Sequence, residues 1–377
     1  MDIISVINDN NRDSSQTIKI NMVGDIMGAR ELACSEDQYN SHLDSISDVF
    51  IGADINICNL ETVVSDNNIL PSLKSRSNFK SSTLFIKSIS RLFNVCLLAN
   101  NHIGDFDSQG VQDTISTLEK NGIAWTGINK RENGEKIARH LTMEIKNTKI
   151  CILNYSLLNV PKIYGYNINV FSRKKFLSDI KDCLKISKII LVSLHGGREN
   201  IEFVEPQLRK ASKFAIDNGA SLVFGHHTHV LSGYEIYKSK PIFYSLGNFI
   251  FDNPINYKRN YSGVLSTELD LSGNILSFSF KPLLINREYF PTICPKIEQE
   301  IINNVLYLSD VLITNKNDDY FWAEAAKSFG KNSKDNLQDA YKKMGFKGIL
   351  YYIKRIRFKH LILLFFMVFK RGGRNGH

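Results

Sequence analysis

Residues 225–252 read GHHTHVLSGYEIYKSKPIFYSLGNFIFD. The apolar run Ser221-Leu222-Val223-Phe224 that leads into them predicts a buried strand, which Gly225 ends. His226, His227 and His229 then sit on the loop at the strand's C-terminal edge, where open α/β sheets bind ligands. On an irregular loop the H-x-H spacing of His227 and His229 lets two imidazoles converge on one metal or divide between two adjacent ones. A turn carrying incidental histidines is the duller reading. Three histidines within four residues, out of nine in the chain, favour metal ligation.

Upstream, strand-like runs end in polar, metal-competent residues again and again. Thr17–Val23 alternates apolar and polar and ends in Gly24-Asp25; Asp54–Cys58 ends in Asn59-Leu60-Glu61. Val95–Ala99 ends in Asn100-Asn101-His102, and Ile189–Leu194 ends in His195. Ile150–Leu153 is a further strand. Helical spacing separates these runs at Ser41–Phe50, Leu84–Phe93, Ser108–Lys120, Lys174–Ile186 and Pro206–Asp217, with Gly122 and Gly219 as stops. The alternation predicts an α/β domain with a largely parallel core. After the histidine cluster, Ile242–Tyr244, Val264–Leu271 and Ile275–Pro282 alternate with period two, which predicts an antiparallel extension of the sheet.

Asp25, Glu61, Asn101, His195, His227 and His229 supply two carboxylates, one amide and three imidazoles, with His102 to spare. A pair of divalent ions about 3.5–4 Å apart needs such a set, one carboxylate bridging both. Mixed nitrogen and oxygen ligation suits Mn, Zn or Fe better than Ca or Mg. Each residue alone has a plainer explanation: a turn or N-cap aspartate, a solvated glutamate, an Asx turn, a satisfied core histidine. Recurrence at equivalent places in successive strand–loop units joins them into one site. Asp105 and Asp107 are expected to cap the helix after His102, with orientation of His102 as the other role for Asp105. Arg198 and Glu199 either meet a substrate anion and support a ligand, or form a surface pair.

At 43% hydrophobic and 23% charged, the 377 residues have an ordinary globular composition, enough for two domains or one large domain with extensions. The six cysteines show no C-x-x-C pair and mostly lie in apolar runs, so they read as buried thiols of a reducing compartment. The net charge of +9 is local. Ten of the 47 Lys and Arg, and no acid, fall in 341–377, which leaves 37 against 38 acids elsewhere. A near-neutral body argues against nucleic acid as a partner. The opening MDIISVINDNNRDSSQ has neither a basic n-region nor a long apolar stretch, which predicts no signal peptide and a cytoplasmic protein.

The motifs GD (Gly24-Asp25), NLE (Asn59–Glu61), ANNH-x-x-D (Ala99–Asp105), HGG-x-E (His195–Glu199) and GHH-x-HVL…E-x-Y…PIFYSLGNFIFD (Gly225–Asp252) resemble those of the CapA family. These are poly-gamma-glutamate capsule biosynthesis proteins, related to the calcineurin-like metallophosphoesterases. The resemblance covers residues 17–291 and is most specific in its last motif. It implies a four-layer α/β/β/α sandwich with a dinuclear metal site on strand-end loops. By that analogy Asp25 and Glu61 are carboxylate ligands, Asn101, His195 and His227 complete one metal, and His229 binds the other. His102, with Asp105 beside it, is then the general acid for the leaving group. The chain departs from the wider pattern in places. Ile26-Met27 follow Asp25 where D-x-H has an imidazole, and Glu61 replaces the usual bridging aspartate. Gly196 stands where many relatives have tryptophan, and Asp107 where glycine is common. The implied function is metal-dependent, phosphoesterase-like hydrolysis in capsule or surface-polymer synthesis, on a phosphate ester or anionic polymer. The other reading is a non-catalytic assembly factor that holds an anionic polymer or other capsule-synthesis proteins at the membrane.

Residues 17–291 make up the expected domain, 292–341 a helical extension, and 342–377 a basic amphipathic tail. The tail's apolar core, Leu361–Phe369, falls well short of the about 20 residues a spanning helix needs. Its basic and aromatic stretch, 342–370, predicts a helix lying on an anionic membrane surface at the inner face. Docking on a partner or on the protein's own body is the alternative.

Overall fold

The computed structural model describes residues 5–6, 16–32, 34–72, 77–130, 139–252 and 260–328. The basic tail and most of 323–341 lie outside the described residues, as does nearly all of the opening segment.

The first sheet starts with β1 (Thr17–Ile26), β2 (Ile55–Leu60), β3 (Val95–Leu97) and β4 (Ala124–Thr126), parallel and adjacent in that order. The chain then builds the second sheet from β5 (His140–Ile145), β6 (Thr148–Ser156), β7 (Ile189–His195), β8 (Leu222–His226), β9 (Tyr234–Tyr237) and β10 (Lys240–Phe243). Their order is β9-β10-β8-β7-β6-β5. The inner four are parallel, and the edge strands β5 and β9 run against their neighbours. The chain returns to the first sheet through β11 (Asn248–Ile250), parallel to β1, and the hairpin of β12 (Tyr261–Asp270) and β13 (Ile275–Ile285), antiparallel to it.

The period-two strands are therefore divided between sheets. Ile242 of β10 stands beside Val223 of β8, parallel, whereas Leu265 of β12 stands beside Met22 of β1, antiparallel. This corrects the expectation of one antiparallel extension: period two tells which face a residue takes, not which sheet it joins.

Ile18, Ile20 and Met22 of β1 meet Ile150 and Ile152 of β6 and Leu191 of β7 between the sheets. The outer face of the first sheet (Val23, Cys58, Cys96) packs on α1 (Glu36–Asp44), α2 (Thr83–Ile89) and α3 (Asp107–Lys120) through Leu43, Phe85 and Val111. The outer face of the second (Leu153, Val192, Val223) packs on α4 (Arg173–Leu184) and α5 (Pro206–Asp217) through Phe176, Ile180 and Leu208. The result is a four-layer α/β/β/α sandwich. α6 (Pro295–Ile313) sends Ile301 and Val305 into the inter-sheet core and Leu312 to the outer core of the second sheet. No described helix is long and apolar enough to cross a membrane.

A buried charge network ties β9 to α5. Glu235 accepts from Arg209 Nε and Nη2 at 3.0 and 3.1 Å and from the Tyr244 hydroxyl, and Lys213 Nζ lies 3.1 Å away. Burial would raise this carboxyl, but the donors outweigh it and hold it below its ordinary 4.5. A depressed carboxylate gives stability that is complete above the unfolded-state pKa and lost as the pH falls through the folded-state value. Glu235→Ala is expected to cost about 3 kcal/mol by urea unfolding at neutral pH, because it strands Arg209 beside Lys213. The gap from the parent should shrink in acid below the carboxylate range; an equal gap there would show that packing, not charge, is what Glu235 supplies.

Candidate metal centre

A β-bulge aims Asp25. Ile18, Ile20 and Met22 face the inter-sheet core, and strict alternation would send Ile26 the same way. Instead the register with β2 shifts between Met22 and Asp25, and Ile26 packs on the helical side. The extra residue leaves Asp25 directed at the strand ends of the second sheet. Gly24 is required here because a Cβ would stand 2.0 Å from Gly247 O. Asp25 is fully buried, with Oδ1 accepting from Asn59 Nδ2 at 2.8 Å and Oδ2 from the His227 backbone N–H at 3.1 Å. His226 Nδ1 and His229 Nδ1 each lie 3.4 Å from one of its oxygens.

Asn59 of β2 and Asn248 of β11 both pair with Asp25 in register, so the three stand level on adjacent strands. Each asparagine reaches an imidazole. Asn59 Nδ2 is 3.3 Å from His195 Nδ1, and Asn248 Oδ1 is 2.9 Å from His229 Nδ1. His195 Nε2 lies 2.8 Å from Asn101 Oδ1, so these two candidate ligand atoms stand side by side. His229 donates from Nδ1 to Asn248, which frees its Nε2 as a ligand atom. His227 and His229 have φ of 92° and 60°, left-handed values that cost about 1–3 kcal/mol each in a residue with a side chain. That strained turn brings the His227 ring to 4.9 Å from that of His195.

Glu61 stands at the middle. It is fully buried, with Oε1 3.6 Å from His195 Nε2 and 3.9 Å from His102 Nε2. Neither of its oxygens has a hydrogen-bond partner among the described residues. The ligand atoms of Glu61, His195 and His227 lie within 4.8 Å of one another, as do those of Asp25, Glu61 and His229. Glu61 belongs to both groups. Glu199 forms a third with His227 and His229. The six side chains singled out in the sequence thus meet in one place, Asn101 through its position beside His195.

The electrostatics suit a cation. Burial, then the Asp25 charge, push Glu61 well above the usual carboxylate range. Burial would raise Asp25 too, but His226 and His229 hold it well below. Burial, then neighbouring imidazoles, drive His195 well below its ordinary value and His227 to about 3. At neutral pH both rings keep their lone pairs. His229 is raised, the Asp25 carboxylate outweighing burial, so a cation bound there would displace a proton. A buried carboxylate with no donor is costly unless a cation meets it.

His102 stacks on Phe79 at 4.0 Å, and its Nδ1 lies 2.7 Å from Asp105 Oδ2, which also accepts from the Phe79 N–H at 2.9 Å. The expected capping by Asp105 and Asp107 is not what forms. Phe106 holds the N-cap position of α3, without a side-chain cap, and exposed Asp107 begins the helix at φ 49°. Arg198 is half-buried, which lowers its pKa. Arg30 lies 4.5 Å over the Phe79 ring and pairs with Asp252.

Asn59 and Asn248 are the residues that sequence reasoning missed. The asparagines lie inside the motifs but gain their roles only from strand register. His226, fully buried, makes no hydrogen bond through either ring nitrogen among the described residues. The sequence reading places it on the loop with the other two histidines, whereas β8 runs through Gly225 and ends on His226.

Residues 19–253 match the family model described as bacterial capsule synthesis protein PGA_cap. Over 253 residues the chain is 26% identical to the capsule biosynthesis protein CapA of Bacillus anthracis, covering 63% of this chain and 61% of that one. It is 26% identical over 253 residues to the PGA biosynthesis protein CapA of Bacillus subtilis, covering 63% and 64%. The chain thus spans less than two thirds of the length of these relatives. A 5′-nucleotidase precursor of Thermus thermophilus superposes with a TM-score of 0.42 at 13% identity, over 79% of this chain and 59% of that one, too loosely to bear on the site. The family match takes in more than half of the sequence and every residue of the centre, from Asp25 to Asp252, so the chain belongs to the PGA_cap family of bacterial capsule synthesis proteins.

Proposed function

We propose that this protein is a metal-dependent hydrolase of capsule or surface-polymer synthesis, acting on a phosphate ester or on an anionic polymer that carries one. The observation that supports it is Glu61, a fully buried carboxylate shared by two ligand groups and given no hydrogen-bond donor among the described residues. Asp25, Glu61 and His229 would hold one divalent ion, and Glu61, Asn101, His195 and His227 a second, of Mn, Zn or Fe type. Such ions, when bound, supply Lewis acidity to a water and a phosphoryl oxygen. Asn59 and Asn248 fix the rings of His195 and His229. Asp105 holds His102 by Nδ1, which leaves Nε2 to protonate the departing oxygen. Arg30, half-exposed above Phe79, offers charge to an anion.

Met27, buried against Phe79 and Phe251, stands where the wider phosphoesterase pattern has an imidazole. That favours a second reading, an assembly factor that holds an anionic polymer without turnover. Elemental analysis of the full chain, with phosphomonoester and phosphodiester panels, separates them. The expected result is about two metal ions per chain and turnover lost in His227→Ala. Bound metal with no turnover on any ester would favour the assembly factor, and metal-free, inactive protein would refute the hydrolase. The basic tail is proposed to hold the protein on anionic membrane. Removing 342–377 should release it from anionic liposomes, and equal co-sedimentation of both forms would count against that.

A further inference from the structure

His140, Cys151 and Cys183 form a second cluster, on the outer face of the second sheet and sharing no residue with the centre above. Their ligand atoms lie within 4.8 Å of one another. In the pairing of β5 with β6, Thr142 stands opposite Cys151 and His140 opposite Leu153. His140 therefore shares the face of Cys151, two residues along its strand. α4 covers that face with a stripe of Phe176, Asp179, Ile180 and Cys183, which carries Cys183 to Cys151. All three meet at an edge strand, with His140 half-buried and both thiols free.

The geometry points to a binding site for one thiolate-preferring divalent cation, Zn2+ by the chemistry of its donors, which joins the edge of the second sheet to the end of α4. One imidazole and two sulfurs form a zinc donor set, and a fourth position is left for water. Bonds of about 2.0–2.3 Å at tetrahedral angles place donor atoms roughly 3.3–3.8 Å apart. The three must close by at most about 1.5 Å, a movement of the order of side-chain rotation. Asp179 and Asp182 bear on both His140 and Cys183, adding negative charge around the site. Asp179 is itself clamped, by Arg139 Nε and Nη2 at 2.9 Å each and by the Tyr155 hydroxyl at 2.7 Å. Burial lowers His140 and keeps its ring neutral. The Cys183 thiol facing Cys151 draws the latter down to about 7, so one thiolate is at hand near neutral pH and binding expels the remaining proton. The hydrolytic centre uses nitrogen and oxygen donors alone, so sulfur ligation identifies this site.

The full-chain protein, kept reduced and stripped with a chelator, is titrated with Co2+. A thiolate-to-cobalt charge-transfer band in the near ultraviolet is expected, with the intensity of one thiolate-bound Co2+ per chain whatever the nitrogen and oxygen centre also takes up, and bleached by Zn2+. His227→Ala keeps the band, so failure here and failure of the hydrolase reading are distinguishable. Cys151→Ser and Cys183→Ser lose it. Should either fail to fold, His140→Ala at the half-buried edge weakens Zn2+ binding by at least about tenfold, the low end of what even an outer partner of a ligand is worth. Cys58→Ser, in the buried pair whose Sγ lies 3.5 Å from that of Cys96, leaves the band unchanged. No band in folded protein, or a band that follows Cys58 instead of Cys151, overturns the proposal. So does a Cys151–Cys183 disulfide found by mass spectrometry in zinc-free protein isolated without reductant.

Discussion

Glu61→Gln should give a protein that is more stable than its parent without metal and unable to use metal. The Glu61 carboxyl sits in full burial beside Asp25, with no donor to either oxygen among the described residues. An amide of the same shape removes the charge. Relief of an unpartnered buried group is worth about 1–3 kcal/mol, or several degrees in Tm at roughly 2–4 °C per kcal/mol. The sign of the pH dependence follows from the raised pKa. Above the ordinary 4.5, the unfolded chain releases a proton that the folded one keeps, so the stripped parent loses stability as the pH rises from there through the folded-state value. The variant lacks that slope. Metal reverses the order: at 100 times its Kd an ion adds about 2.7 kcal/mol to the parent and little to the variant. Thermal unfolding with chelator and with Mn2+ or Zn2+, across neutral pH, reads both halves. A lower Tm for the stripped variant would mean that Glu61 is a structural partner and not a held charge.

Placement of the centre was legible because Asp25, Glu61, Asn101, His195, His227 and His229 each follow an apolar run, and parallel strands gather their C-terminal ends. The direction of Asp25 was not. An alternating reading of Thr17–Val23 cannot show the bulge, which depends on the close approach of Gly24 to Gly247 from a distant segment. Asn59 and Asn248 become supports only once both are in register with Asp25. Strand β5 passed unread because its six residues pack on one neighbour at the sheet edge and are half-buried or, at Thr142 and Glu144, exposed. With it went the meeting of His140 with Cys151. Asp105 illustrates a local preference losing to a tertiary one. A cap contributes about 1 kcal/mol, whereas buried bonds to a charged group contribute about 1.5–3 kcal/mol each, and Asp105 makes two, to His102 and to the Phe79 N–H.

The other large effect is expected at His102, and the leaving group should decide its size. His102 Nε2 opens towards Glu61 at 3.9 Å while Asp105 holds Nδ1, the arrangement of a proton donor and its orienting partner. His102→Ala should lower turnover of an alkyl phosphate ester by about 10²–10⁴-fold, the ordinary worth of general acid catalysis. It should matter far less for a nitrophenyl ester, whose phenolate departs without a proton. Metal content should not change, because His102 belongs to neither ligand group around Glu61. Asp105→Asn keeps the shape and the bond from Phe79 N–H but loosens the hold on His102 Nδ1. Its turnover of the alkyl ester should therefore fall, while that of the nitrophenyl ester stays close to the parent's. Equal losses on both esters in His102→Ala would remove the proton-donor role. Loss of bound metal in that variant would instead place His102 among the ligands, and the departing oxygen would have to draw its proton from solvent.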